Sequence, residues 1–249
     1  MIKLKNDEQI KMIRESCRML SDVYAGVIKT VDEGITTLEI DRFCHDQITR
    51  RGGVPAFLDY NGFPGSICIS INEEVIHGIP SKRKIKNGDI VSLDLGINLN
   101  GYYSDAAVTL AVGKIDNETK KLLKVTKQAL FAGIEACKAG NRIKDISAAV
   151  FKIADKNNYG VVKEFCGHGV GFGVHESPQI PNYVHPGPNP RIKKGMVLAI
   201  EPMINLGVAS VEVLEDEWTV VTADRKISAH FEHTVAVFED YTEILTLPG

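Results

Sequence analysis

Two histidines, His168 and His175, sit seven residues apart in CGHGVGFGVHESP (166–178), where every second position from 167 to 173 is glycine. Imidazoles bind metals and carry protons near neutral pH. Glycines around them let the backbone pass close to something; a solvated, floppy loop is the plain alternative. Four carboxylates have equally unusual settings. Asp94 lies inside IVSLDLGI, Asp105 follows a turn in NGYYSDAAV, Glu201 ends the apolar run MVLAIEP, and Glu232 sits in AHFEHTVAV. A carboxylate among strand-forming residues is rarely buried unpaired. An edge-strand acid in water explains one such residue more readily than four.

The first two acids can be placed. Asn100-Gly101 is a strong two-residue hairpin signal. That turn sets Val91, Leu93, Leu95 and Ile97 opposite Leu110, Val108, Ala106 and Ser104, a coherent apolar face. Asp94 and Asp105 then share the other face as diagonal neighbours, with Cα atoms roughly 7–8 Å apart. Like charges so placed are unfavourable unless a positive charge lies between them. A solvated polar face is the alternative, and the apolar surroundings of Asp94 argue against it. A one-residue slip of register would separate the pair.

If these four acids converge with a histidine, two divalent ions would balance them. Oxygen ligands with one imidazole suit Mn, Fe(II), Co or Zn. Paired ions of this kind serve hydrolysis. No GxSxG, HExxH, P-loop or GxGxxG pattern competes with that reading. His45, in FCHDQI, and His185, in VHPGPNP, read as ordinary surface or satisfied residues. His77 ends the apolar stretch of EEVIHGIP beside a turn.

Elements must carry these residues to one place. Ile10, Ile13, Cys17, Leu20, Tyr24 and Val27 mark a helical face over 7–29. A Thr36–Glu39 capping box opens a second helix that ends near 51–53. Short strands and loops follow over 54–80, with a turn at Gly62-Phe63-Pro64-Gly65, then the hairpin over 90–112. Helices are expected from Asp116 to about Lys138 and from Ile143 to about Asn157. Strands follow at 196–201, 207–222 and 229–238. The order is αα-ββ twice, an α+β chain read as one domain over residues 1–249 and unlike a doubly wound sheet. No internal repeat of residues supports the two halves.

The bulk properties exclude some classes. A net charge of −3 gives no reason to expect nucleic-acid or membrane binding. Five widely spaced cysteines without a CxxC argue against a disulfide framework and for a reducing cytoplasm. The charged start MIKLKNDEQIKMIRESC has no apolar core of a signal peptide.

At INEEVIHGIP (71–80), DLGINLNGYYSD (94–105), GHGVGFGVHESP (167–178), AIEPMI (199–204) and FEHT (231–234), the sequence resembles the bacterial type I methionine aminopeptidases. The last four segments are shared with proline-specific aminopeptidases and prolidases of the same superfamily; HGIP and the short chain narrow the match. The resemblance implies the pita-bread fold, two pseudo-symmetric αα-ββ halves around a dinuclear metal site. It implies Asp94, Asp105, His168, Glu201 and Glu232 as ligands of two divalent ions, with Asp105 and Glu232 bridging. It implies a metal-activated water attacking the first peptide carbonyl, Glu201 as general base, and His175 and His77 as substrate contacts, His175 near the scissile carbonyl. A free α-amino group held at one metal would restrict cleavage to the terminal residue. Tyr60, Phe63, Cys68 and Trp218 would line the methionine pocket. Phe57 and Val174 depart from residues found in some relatives, cysteine and a larger aromatic, and would reshape it. The activity implied is removal of initiator methionine ahead of a small second residue, from nascent chains near the ribosome, by a cytoplasmic monomer. An Xaa-Pro exopeptidase of the same fold is the runner-up. A non-enzymatic binding module is disfavoured, because all five ligand types are present.

Overall fold

Helix α1 (Asp7–Val27) buries Ile10, Ile13, Cys17, Leu20, Tyr24 and Val27 along one face, as the three- and four-residue spacing predicts. A reciprocal capping box starts it, between Asn6 and Gln9, and another starts α2 (Thr37–Thr49), between Thr36 and Glu39. The computed structural model describes residues 1–247. After α2 come β1 (Val54–Pro55), a one-turn 3-10 helix at Tyr60–Gly62, β2 (Cys68–Ile71) and β3 (Glu74–Ile76). The turn expected at 62–65 therefore falls slightly earlier, with Asp59 and Asn61 in the left-handed region.

The long hairpin β4 (Ile90–Leu99) and β5 (Tyr102–Ala111) has the expected register: Asp94 faces Ala107, and Gly96 faces Asp105. Asn100 and Gly101 both take positive φ, 54° and 85°, which a type I′ turn requires. Then follow α3 (Asn117–Ala136), capped by Asp116, and α4 (Ile143–Asp155). The last third holds β6 (Gly160–Val161), β7 (Gly167–Gly169), β8 (Glu176–Ile180), β9 (Val197–Ile200), β10 (Met203–Asn205), β11 (Val211–Val213), β12 (Val220–Thr222), β13 (Ser228–His230), β14 (Glu232–Val237) and β15 (Thr242–Ile244). The strand expected over 207–222 is thus two. The polar insert LEDEW turns between them, and Asp216 accepts from the backbone of Trp218 and Thr219. The strand expected over 229–238 also breaks, at Phe231.

One nine-stranded sheet runs through both halves in the order β1-β4-β5-β14-β9-β7-β8, with β2 added on β4 and β15 on β14. Helices α1 and α2 cover one half, around a core with Leu93, Leu95 and Ile97. Helices α3 and α4 cover the other, around Leu198, Ile200 and Val235. Burying one such side chain contributes about 1.5–3 kcal/mol, so the apolar face of the hairpin is firmly held. Polar ties add to it. Ser16 of α1 donates to Ile97 O at 3.1 Å, and the Tyr24 hydroxyl reaches Leu93 O at 3.0 Å. With that face committed to the helices, the opposite face of the sheet is left to carry Asp94 and Asp105.

Candidate metal centre

Five side chains singled out in the sequence come from five consecutive strands of the large sheet. Asp94 is on β4, Asp105 on β5, Glu232 opens β14, Glu201 follows β9, and His168 is central in β7. Register brings them together. Glu232 pairs with Ala107, which also pairs with Asp94, and His168 pairs with Ala199, two residues before Glu201. Thr234 locks this seam by donating its hydroxyl to Asp105 O at 2.7 Å.

Ligand atoms of Asp105, His168 and Glu232 all lie within 4.8 Å of one another. His168 Nε2 is 3.8 Å from Asp105 Oδ2 and 3.3 Å from Glu201 Oε1. Asp94 stands beside this group, close enough for its charge to act on Asp105 and Glu232. Asp105, Glu232 and His168 are buried, at 3%, 2% and 6% exposure. Asp94 Oδ1, Asp105 Oδ1 and Glu232 Oε1 are buried without a hydrogen-bond partner.

The protonation behaviour follows from that burial. Desolvation pushes the Asp94 carboxyl up to about 7 and Glu201 up to about 8. Asp105 and Glu232 are driven well above the usual carboxylate range, by burial first and by their acidic neighbours second. His168 is lowered to about 3, mainly by burial. A neutral imidazole with a free Nε2 is a ligand-ready form, because its Nδ1 is bonded to Gly169 O at 2.9 Å. Four clustered acids, Asp105 and Glu232 buried and three of the four with orphaned oxygens, fit divalent cations, whose charge would reverse these upward shifts.

Above the acids lies a cavity of about 330 Å³. Its apolar wall includes Tyr60, Phe63, Cys68, Phe165 and Trp218, with Phe57 among the lining residues. Trp218 meets Phe63 edge-on, ring centres 5.2 Å apart, and His77 at 6.2 Å. Phe57 and Val174 pack in the same buried cluster as Phe63 and Cys68. His77 is half-buried with φ +59°, an uncommon conformation for a non-glycine residue. Burial lowers it to about 4, helped by His230 and His175. His175 packs against His168, ring centres 4.3 Å apart with the planes tilted by 59°, and its Nδ1 is 3.0 Å from the Tyr60 hydroxyl. A second, wider groove of about 1080 Å³ shares His168 and His175 and runs past Gln179 to Pro190. His45 and His185 lie outside the acid-lined cavity; His185 lines the wider groove.

Residues 11–239 match the sequence profile of metallopeptidase family M24. The chain is 54% identical to methionine aminopeptidase of Treponema pallidum, over 100% of this chain and 97% of that protein. The chain belongs to the methionine aminopeptidases of family M24. It is also similar to the crystal structure of methionine aminopeptidase from Rickettsia prowazekii, with a TM-score of 0.97, 39% identity and coverage of 99% and 100%. Prolidase from Pyrococcus horikoshii shares the fold at 23% identity and a TM-score of 0.77, covering 99% of this chain and 64% of that one. The fold is thus the pita-bread arrangement that the resemblance implied. M24 enzymes are metallopeptidases, and the acid cluster fits divalent cations.

In this M24 chain the glycines of 166–178 have a more specific use than loop freedom. A Cβ at Gly167 would run into Ala199 O of β9, and one at Gly169 into Ser177 O of β8. The backbone that comes close is that of neighbouring strands, which lets β7 sit between them and deliver His168. Gly173 has open space around it.

Sequence reasoning named Tyr60 for the pocket wall but not its contact with His175, and it gave His230 no site role. Tyr60 contacts His175 as well as lining the cavity. His230 is 1% exposed, and its Nε2 lies 3.4 Å from Glu201 Oε2. The two-residue alternation that groups Glu232 with Thr234 extends back to His230, and that signal could have found it.

Proposed function

We propose that this chain hydrolyses the first peptide bond of polypeptides that begin with methionine, preferring a small second residue. One observation carries the proposal: four strands of one sheet, and the residue just past a fifth strand lying among them, each present one ligand-type side chain to the floor of a cavity whose wall is aromatic and apolar. Asp94, Asp105, His168, Glu201 and Glu232 would hold two divalent ions, of Co, Mn, Fe(II) or Zn. When bound, such ions anchor the free α-amino group, polarise the scissile carbonyl and make water acidic enough to attack it.

The chain's own residues do the rest. Glu201 takes the proton of the attacking water at Oε1 and returns it to the leaving nitrogen. His175 donates to the developing oxyanion. His175 Nδ1 lies 3.0 Å from the Tyr60 hydroxyl; in the tautomer where that hydroxyl donates, a neutral His175 ring carries its proton on Nε2, the nitrogen left for substrate. His77 contacts substrate from the Trp218 side. Tyr60, Phe63, Cys68 and Trp218 exclude water around an unbranched thioether side chain, and Phe57 and Val174 set the shape behind them. The wider groove gives the rest of the peptide a path away from the site.

We read the chain as a single catalytic domain, because one sheet spans both halves and the site. We also place it in the cytoplasm, as a monomer acting on nascent chains near the ribosome. Free cysteines at all five positions and a net charge of −3 support that setting without nucleic-acid or membrane partners. Among the described residues no helix is long and apolar enough to cross a membrane.

The test is metal removal, then addition of Mn, Co, Fe(II) or Zn with Met-Ala-Ser, Met-Lys-Ser and Ala-Pro-Ser. Metal-dependent release of methionine from the first peptide alone is expected. Cleavage of Ala-Pro-Ser without methionine release overturns the reading.

A further inference from the structure

His230 is a buried imidazole whose two nitrogens both lack a hydrogen-bond partner. Leaving such a group unsatisfied away from water is costly. Its place is nevertheless fixed with care. The Thr109 hydroxyl donates to His230 O at 2.7 Å, and His230 N donates back to Thr109 Oγ1 at 2.9 Å. Strand β13 pairs His230 with Met203 in a separate three-stranded sheet. The backbone break at Phe231 then leads directly into β14 and Glu232. The ring is thus aimed at the acid cluster from behind, and it does not line the cavity.

Glu201 sits between two imidazoles. His168 Nε2 is 3.3 Å from Oε1, and His230 Nε2 is 3.4 Å from Oε2. A Glu side chain has three soft torsions, so one oxygen must be held if the other is to keep a fixed aim. His168 cannot do this while its Nε2 serves as a ligand. We propose that His230 is a positioning residue for Glu201. In its Nε2–H tautomer it donates to Glu201 Oε2 and leaves Oε1 turned toward His168 and the cation site. A movement of about half an ångström converts the present 3.4 Å approach into an ordinary N–H···O bond. Groups that orient a metal ligand in this way commonly govern metal affinity by about 10–100-fold.

The inference deepens the proposed metal chemistry and rests on Glu201 being a ligand. Its test has readouts besides turnover. Imidazole ¹⁵N NMR of the unsubstituted, metal-free protein, recorded above the value of about 8 at which Glu201 gives up its proton, should show His230 protonated on Nε2, with a shift that moves in Glu201→Gln; protonation on Nδ1 there overturns the proposal. Mn(II) titration calorimetry should show roughly 10–100-fold weaker binding for His230→Leu. His230→Gln, which keeps a donor of similar reach, should stay within about threefold of the parent. In a Glu201→Gln background, His230→Leu should cost nothing further. Equal losses in both backgrounds mean that the ring acts without Glu201, and the proposal falls. If His230→Leu does not fold, the tautomer and His230→Gln decide. If the parent binds Mn(II) but releases no methionine, the peptidase reading fails while these measurements still judge His230.

Discussion

The floor and the rim of the cavity are built differently. The floor residues Asp94, Asp105, His168 and Glu232 are all on strands of one sheet, and Glu201 follows the end of β9 in that same sheet. The rim comes from irregular chain: Tyr60 in a one-turn 3-10 helix, His77 just past β3, His175 just before β8, and Trp218 in the β11–β12 turn. Strand pairing holds the floor through backbone bonds that no single side chain controls. The rim depends on side-chain contacts, such as His175 on Tyr60 and Trp218 on Phe63. The floor can therefore keep four repelling acids in place, and the rim can adjust to a peptide.

Breaking the floor should have the largest effect. Asp105→Ala removes a buried carboxylate placed between both parts of the cluster. Methionine release should fall roughly 10³-fold or more, the scale of several kcal/mol of lost transition-state stabilisation. Mn(II) binding should fall with it, while the sheet pairing survives. Full turnover in this variant would end the ligand assignment.

At the rim, His175→Ala should lower kcat by roughly 10²–10³-fold, as for loss of one oxyanion donor. Metal affinity should hardly change. Tyr60→Phe separates two roles: a lower kcat at constant KM means that the hydroxyl sets the His175 tautomer, whereas a raised KM alone means that Tyr60 only lines the cavity.

How far each region could be read from sequence follows the same division. The Asp94–Asp105 pairing was legible because Asn100-Gly101 fixes a local register. Helix faces and the Thr36–Glu39 cap were legible for the same reason. The convergence of Glu201, Glu232 and His168 depends on β14 and β9 lying between β5 and β7. No local pattern encodes that order, and the resemblance supplied it. The contact of Tyr60 with His175 spans 115 positions, and nothing near either residue announces it. His230 lies on the alternation that carries Glu232 and Thr234, but no local pattern announces the break at Phe231, which turns an apparent strand of 229–238 into parts of two sheets.

The floor also sets a dependence on pH. Asp94 and Glu201 have folded-state values of about 7 and about 8, raised above their ordinary unfolded values near 4. The metal-free fold thus keeps protons that the unfolded chain has lost. The stability they contribute is fully present below pH of about 4 and is lost as pH rises through about 7 and about 8. Cations displace those protons, so apparent affinity should rise roughly tenfold per pH unit for each proton released, up to those values. Thermal melts at pH 6 and pH 8 should show a larger gain in Tm from Mn(II) at pH 8. A gain that is equal or smaller there contradicts the burial-driven shifts.

The smallest effect tests how the rim is tied to the rest of the molecule. Lys5 Nζ meets Glu176 Oε2 at 2.8 Å, with side chains only 1% and 4% exposed. Glu176 Oε1 accepts from Phe172 N at 2.5 Å, closing the segment that ends at His175. Lys5 is itself fixed, its backbone N donating to Gly195 O at 2.7 Å. The chain's first residues therefore brace the loop that presents His175. Lys5→Met leaves a buried carboxylate unpaired, which should cost about 3–5 kcal/mol of stability. It should also lower kcat/KM by about tenfold through a loosened His175. Adding Glu176→Gln removes the unpaired charge, so Tm should recover. If kcat/KM stays low in that double variant, the ion pair positions His175; if it recovers together with Tm, the pair serves stability alone, and the rim needs no brace from the N-terminal segment.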